Sequence, residues 1–578
     1  MTNPPQTLSA LIDESSKRFG GRLAVIDGPL RMSYADLAVQ VRTMARALMS
    51  AGVQAGDRVA VWLPNTAHWL IAALGAHSAG ASLVPMNTRY TGYEALDVLQ
   101  RTGARVLFLP DRFLGLDYLA ALRDAAAARD GAGQEQIRQP GLETAVSRPV
   151  IGLDELALVV QVPVEGGGQG SGGVSTWAEV LTRADETTEQ SALDRAAQVR
   201  ADDIADIIFT SGTTGQPKGA MSTHRQTIAV AVAWAERAEV SDRDVYMIIA
   251  PFFHTFGYKA GWVVALLRGA TILPQLTFDI ERVVGQIERE RVTILPGPPT
   301  IFSELLAYPE RGRHDLSSLR LVVTGAAIVP VALIERMWRE LTIETILTAY
   351  GLTEAVVVTM CRPGDDAETI SGTSGCAAAD FEIRIAGKDG QEMEPGDDGE
   401  ILLRGPNVMV GYLDDPASTR AAIEPDGWLH TGDIGHVDKR GYLTITDRLK
   451  DMFTVGGFNV YPAEVENVIM RLGSVADCAV VSKPDDRLGE VGVAYVVTSP
   501  GQTLAEQDVI AHCRERLANF KVPREVMFVS RLPRNAGGKV LKRDLREQVR
   551  QAVRTGGGMT DPASPARVAG PRPKRSEW

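Results

Sequence analysis

The sequence predicts an α/β protein in two parts: a large N-terminal domain built of several α/β subdomains, and a smaller, mobile C-terminal α+β domain. Three observations carry this expectation. Up to about Lys450, Ala/Leu-rich helical stretches alternate with short apolar runs, several of which end in Gly, Pro or Thr clusters, as in strands that feed helices. A more compact αβ pattern begins after DRLKD (Asp447 to Asp451). A chain of 578 residues also exceeds what one hydrophobic core organises.

Taken in order, the N-terminal MTNPPQTLSALIDESSKRFGG has acidic residues and scattered apolar ones, not the basic-then-apolar layout of a secretory signal, so export is not expected. RVAVWL (Arg58 to Leu63) and RVLFL (Arg105 to Leu109) read as strands. Residues 122–176 break the alternation and read as an insertion with a flexible Gly-rich loop, EGGGQGSGG (Glu165 to Gly173). Gly168, Gly170 and Gly173 match the dinucleotide pattern GxGxxG; in so glycine-dense a run the match arises by chance, and the flexibility suits a linker. From Ala201 the strands DIIFT, YMIIAPFF, TILP, VTILPGPP, LRLVVTG and ETILTAYG follow. Their ends are where α/β folds bind ligands. The expected domains are therefore 1–450 and 451–553, with 554–578 a disordered tail rich in Gly, Pro, Arg and Ser.

Composition excludes several classes. No apolar run approaches the ~20 residues of a membrane span, so no transmembrane segment is expected. The formal charge of −12 argues against non-specific nucleic-acid binding and requires a local basic site for any anionic substrate. Cys361, Cys376, Cys478 and Cys513 are widely spaced, without a CxxC pair or zinc-type cluster. That suits four free, mostly buried thiols in a reducing cytoplasm.

The densest chemical signal is TSGTTGQPKG (Thr210 to Gly219), which places three glycines, four hydroxyl side chains and a lysine in ten residues after the strand DIIF. Glycines let backbone N–H groups reach phosphate oxygens, Thr210, Ser211, Thr213 and Thr214 add hydroxyls beside Gly212, and Lys218 supplies positive charge. The spacing is not that of the GxxxxGK[ST] loop. Read alone, the segment could equally be a mobile, non-catalytic loop.

It is followed by PFFHTFG (Pro251 to Gly257), GAA (Gly325 to Ala327), YGLTE (Tyr350 to Glu354), TGD (Thr431 to Asp433), DRLKDMFTVGGFNVYPAEVE (Asp447 to Glu466) and PRNAGGKV (Pro533 to Val540). In this order and rough spacing, over nearly the whole chain, the motifs resemble the adenylate-forming superfamily of acyl-CoA synthetases, luciferases and peptide-synthetase adenylation domains. The resemblance implies ATP, Mg²⁺ and coenzyme A as cofactor and co-substrates. It makes Glu354 the magnesium-associated carboxylate, a hard oxygen ligand, and places Thr353 at the α-phosphate. Asp433 and Arg448 are assigned to the ribose, and Gly325, Ala326, Ala327, Tyr350 and Gly351 to the adenine slot. It makes Lys539 the catalytic lysine that offsets charge as the acyl carboxylate attacks the α-phosphorus. Lys450 becomes the hinge of a rotating small domain. Gly456 and Gly457 border a pantetheine tunnel, where a residue without Cβ leaves room, and Pro462 suits the first turn of a helix.

For the acid, the resemblance places His254 beside the acyl pocket, with Trp234, Phe253, Gly297, Pro298, Val356 and Val357 as apolar lining. FFHTFGYKAG contains no acidic residue to hold a substrate ammonium, so a simple carboxylic acid is expected over an amino acid. PFFHTFGYKAG, ILPGPPTI, GPNVMVGYLDD and DMFTVGGFNVYPAEVE are similar to the actinobacterial steroid-degradation ligases that act on a bicyclic methyl-indanedione propanoate. A medium-chain fatty acid is the second reading, and a stand-alone adenylation enzyme that loads a carrier protein is the reading of another class. The expected partners are the acid, ATP and CoA; no nucleic acid is expected, and a homodimer is left open.

Overall fold

The computed structural model describes residues 4–131, 156–165, 173–211, 217–325, 329, 331–378, 380–387, 389–448, 453–460, 462–499, 501–533, 540 and 542–555. The chain divides between the strand that ends at Arg448 and the one that begins at Phe453 into two compact units.

The larger unit rests on two sheets. In the eight-stranded sheet the order is Gly411–Tyr412, Pro217–Thr223, Ile204–Ser211, Ser82–Pro85, Arg58–Val61, Val106–Pro110, Leu158–Val162, Ser175–Thr176. The nine-stranded sheet runs Cys376–Ala377, Ala355–Met360, Thr345–Leu352, Leu321–Thr324, Ile294–Pro296, Val245–Ile248, Thr271–Pro274, Leu23–Asp27, Leu30–Ser33. Its central strands pair in parallel. Runs such as LVVT and VLFLP are buried at every position, which is why the sequence shows continuous apolar runs there instead of alternation: parallel strands are covered on both faces. The helix Ala67–Ser78 is apolar nearly all round and buried except at His68, as befits a helix packed on all sides. Thr66 caps its N-terminus. Gly75 lets it approach the helix Tyr34–Ser50 so closely that a Cβ would stand 2.6 Å from Met44 Cγ.

A four-stranded antiparallel sheet, Glu382–Ala386, Gly399–Arg404, Leu429–Val437 and Leu443–Arg448, completes this unit. The smaller unit has a five-stranded sheet, with Glu525–Phe528 lying parallel to Gly489–Thr498. Its helices include Pro462–Ile469, which starts at Pro462, Glu506–Arg516 and Lys542–Thr555. All four cysteines are buried and free. Among the described residues no helix is long and apolar enough to cross a membrane.

The break in the α/β alternation expected over residues 122–176 is absent where those residues are described. The helix Tyr118–Gly131 runs through Leu122 and Ala125, both buried. Leu158–Val162 pairs residue by residue in parallel with Val106–Pro110. The apolar LVVQV run, set among charged and Pro-containing text, had enough buried surface to extend the sheet. Gly168 and Gly170 lie outside the described residues, as do 132–155 and the tail from 556. If the Gly-rich run is the linker that its composition predicts, deleting Gly166 to Gly173 is expected to change turnover by less than about twofold, since loop length costs little free energy. Loss of ATP binding on deletion would restore the dinucleotide reading.

Candidate active site

Adjacent parallel strands of the nine-stranded sheet end side by side, so the segments after Ile248, Pro296, Thr324 and Leu352 emerge on one edge. These segments carry His254, Gly297, Gly325 and Glu354. Such an edge, at the carboxyl ends of the strands, is the ordinary ligand site of α/β sheets.

Glu354 sits in the two-residue turn between the strands Thr345–Leu352 and Ala355–Met360, with Thr353 beside it. Its main-chain carbonyl accepts from Met409 N at 2.8 Å. Its Oε1 accepts from the Tyr412 hydroxyl at 2.8 Å and lies 3.4 Å from the hydroxyl of Thr210 at the end of Ile204–Ser211. Tyr412 pairs with Ala220 across the sheet, which brings its ring 5.1 Å from Lys218 Nζ. Lys218 Nζ also donates to Ser418 Oγ at 2.7 Å. One carboxylate, hydroxyl groups and one ammonium thus converge, all half-buried. This donor set fits Mg²⁺, which takes one or two protein carboxylates and otherwise binds phosphate oxygens and water. Among the described residues no cluster of three or more His, Cys, Asp or Glu side chains forms a closed metal cage.

A second pair lies on the neighbouring elements. The Tyr350 hydroxyl donates to Asp433 Oδ2 at 2.6 Å, and Asp433 faces Arg448 across the strands Leu429–Val437 and Leu443–Arg448. Asp433 N donates to Thr431 Oγ1 at 3.0 Å. The small residues are required by close backbone approach: a Cβ on Gly351 would stand 2.6 Å from Val357 N, and one on Gly325 3.1 Å from the Ala349 carbonyl. Val357, inside the strand Ala355–Met360, takes φ 57°, a left-handed conformation rare for a β-branched residue, where the pairing with Thr345–Leu352 shifts register.

At the acyl-pocket candidates, His254 Nδ1 accepts from Phe256 N at 3.3 Å, so the neutral ring carries its proton on Nε2. His254 is exposed, and desolvation by the neighbouring protein atoms holds its pKa below the usual histidine value. Phe253 and Val356 are buried. Gly297 N donates to the Val323 carbonyl at 2.9 Å, and a Cβ there would stand 2.7 Å from Ile301 Cδ1. Trp234 is 0% exposed and packs edge-on against Phe256, ring centroids 5.5 Å apart. Phe256 itself is half-buried.

In the smaller unit Gly456 and Gly457 are the two-residue turn of the hairpin Phe453–Val455 and Phe458–Val460, at φ 55° and 84°. Positive φ at both central residues is the demand of a tight hairpin turn. Gly212, Thr213, Thr214, Ala326, Ala327, Lys450 and Lys539 lie outside the described residues, and of Ser211 and Arg448 only the backbone is described. Reasoning from sequence missed Tyr412, Ser418 and Phe256. Tyr412 stood in the quoted GPNVMVGYLDD, but its reach to Glu354 is visible only in three dimensions.

Residues 12–413 match the AMP-binding enzyme family, and residues 464–539 match the C-terminal domain of AMP-binding enzymes. The chain belongs to the AMP-binding enzyme family. Among curated relatives, this AMP-binding enzyme is 54% identical over 95% of its length to all of the 3-[(3aS,4S,7aS)-7a-methyl-1,5-dioxo-octahydro-1H-inden-4-yl]propanoyl:CoA ligase of Rhodococcus jostii. It is 51% identical over 95% of its length to all of the ligase of the same name from Mycobacterium tuberculosis. Among solved structures, o-succinylbenzoate CoA synthetase from Bacillus subtilis superposes with a TM-score of 0.74 at 27% identity, covering 93% of this chain and 98% of that one.

Within this AMP-binding enzyme, Glu354→Gln keeps the shape and the bond from Tyr412 but removes the charge. It is expected to lower kcat/KM for MgATP by about 10²-fold, the order found when one electrostatic contact to a transition state is lost. Pyrophosphate release measured across a magnesium titration checks this.

Proposed function

We propose that this chain is an AMP-forming acyl-CoA ligase that converts a steroid-derived bicyclic propanoate, ATP and CoA into acyl-CoA, AMP and pyrophosphate. The observation that carries the choice of acid is the 54% identity extending over all of the Rhodococcus jostii ligase. Adenylation is supported by the convergence of Thr210, Lys218, Glu354 and Tyr412.

In this reading the Thr210 to Gly219 segment binds the phosphates, with Lys218 held near Tyr412 and Ser418. Asp433 accepts from the ribose hydroxyls, and Tyr350, already bonded to it, borders the adenine. Glu354, with Thr210 beside it, holds Mg²⁺, which when bound supplies neutralising charge at the phosphate oxygens. The acyl carboxylate needs no base, being nucleophilic at neutral pH. It attacks the α-phosphorus in line with the departing pyrophosphate, so the protein acts by positioning and charge stabilisation. Lys539 is assigned to the developing charge. The thiol of CoA then displaces AMP from the acyl carbonyl, and AMP leaves as the acyl-sulfur bond forms. The enzyme works in the cytoplasm on small molecules alone.

A panel of acids assayed for AMP release with ATP and CoA tests the proposal. The bicyclic propanoate is expected to exceed medium-chain fatty acids in kcat/KM by at least about 10²-fold, the discrimination a shaped apolar pocket achieves. Preference for octanoate or decanoate would replace the acid, and AMP release dependent on a carrier protein instead of CoA would replace the class.

A further inference from the structure

The two large sheets are tied together beside the loop that carries Phe253 and His254 by side chains that no motif singled out. Asn65, 4% exposed, follows the strand Arg58–Val61 of the eight-stranded sheet. The loop follows the strand Val245–Ile248 of the nine-stranded sheet. Asn65 Nδ2 donates to the carbonyls of Ile248 at 3.3 Å and Ala250 at 3.0 Å, and its Oδ1 accepts from Phe252 N at 2.7 Å. One side chain thus holds both ends of the five-residue stretch that leads into Phe253. A buried amide is costly unless its bonds are made, and here both donor and acceptor are engaged by the same stretch of backbone.

The far side of the loop is pinned as well. Gly257 lies so near the loop's start that a Cβ would stand 2.4 Å from the Ala250 carbonyl oxygen and 2.3 Å from that of Pro251. The π-helical turn Tyr258–Trp262 then carries Lys259, whose Nζ lies 3.0 Å from Asp206 Oδ1, with side chains 2% and 1% exposed. Asp206 belongs to Ile204–Ser211, the strand that ends at Thr210 and Ser211. The loop between these anchors has both ends bonded to the sheet that delivers the phosphate-binding segment. A buried ion pair contributes little net stability compared with an apolar pair of the same size, so its place here suits fixing an arrangement more than strengthening a core.

We propose that Asn65 is a positioning residue that fixes the acid-binding loop relative to the phosphate-binding strand, and so sets the approach of the acyl carboxylate to the α-phosphorus. The proposal rests on the reading of Phe253 and His254 as part of the acyl pocket. Displacements of about 1 Å at such a site cost on the order of 10²-fold in rate, whereas the ATP contacts at Thr210, Glu354 and Asp433 do not pass through Asn65.

The test is steady-state kinetics of the full chain with acid and ATP varied separately, for Asn65→Ala, Asn65→Asp and Phe253→Ala. Asn65→Asp keeps the side-chain shape and the bond from Phe252 but sets an acceptor against two carbonyls, so it probes the same link if the alanine variant does not fold. Both Asn65 variants are expected to lower kcat/KM for the acid about 10- to 100-fold, with a raised acid KM, while KM for ATP stays within about twofold; a general loss of folded enzyme would lower kcat and leave both KM values unchanged. Acid and ATP parameters that fall together, or an unchanged acid kcat/KM, would overturn the role of Asn65 provided that Phe253→Ala raises KM for the acid. An unchanged acid KM in Phe253→Ala would instead withdraw the pocket assignment and the proposal with it.

Discussion

Replacing Lys539 with alanine is expected to lower adenylate formation by about 10³-fold, roughly 4 kcal/mol of barrier, while thioester formation from pre-made acyl-adenylate stays within about threefold. The lysine carries no proton-transfer duty in the proposed chemistry. In the proposed reading it supplies a fixed positive charge where the attacking carboxylate and the α-phosphate crowd negative charge together, and one such contact is worth about 10²- to 10³-fold in comparable sites. The second half-reaction develops negative charge on the acyl carbonyl oxygen as the thiol adds, with AMP as leaving group, and in the alternating-domain reading proceeds without Lys539 at the reaction centre. Rapid-quench measurement of pyrophosphate release, set beside acyl-CoA formation from synthetic adenylate, separates the two. Equal losses in both would rule out a lysine that serves one step only.

The second large effect is expected at Gly457. Gly457→Leu should leave pyrophosphate release within about threefold and depress acyl-CoA formation by about 10²-fold or more, about 2.7 kcal/mol, if pantetheine passes against this residue. The hairpin supplies a rival cause, since Gly457 stands at φ 84°, where a side chain is strained whatever lies beside it. Within its own unit nothing lies within 4 Å of a Cβ at this position. Gly456 provides the control: it occupies the same turn, also at positive φ, 55°. Strain alone predicts similar losses of thermal stability and of thioesterification from Gly456→Leu and Gly457→Leu. A block at the thiol path predicts a thioesterification loss at Gly457 that is much the larger of the two.

The strands that position the site were legible because parallel strands covered on both faces must be written as unbroken apolar runs, and DIIFT, LRLVVTG and ETILTAYG are such runs. Local patterns were weaker where burial came from the neighbourhood. LVVQV lay among polar text in a segment read as an insertion that breaks the α/β pattern, yet it pairs with Val106–Pro110. Trp234, named among the apolar pocket candidates, packs edge-on against Phe256, a contact that its sequence position did not reveal. The two glycines of TVGGFNV were read for a tunnel, and the structure adds a local demand that this reading left out, a hairpin turn with positive φ at both positions. Contacts distant in sequence were not legible from either residue: Tyr412 reaches Glu354 across 58 positions and Asn65 reaches Phe252 across 187. Only folding brings such partners together.

A two-step ligation makes one demand that no other reading shares. Enzyme in excess over the bicyclic propanoate, given MgATP without CoA, should release one equivalent of pyrophosphate per acid and hold the acid as adenylate. Adding CoA should then convert that adenylate to acyl-CoA with stoichiometric release of AMP. Pyrophosphate release that waits for CoA, or a held adenylate that CoA fails to consume, would contradict the proposed order of steps.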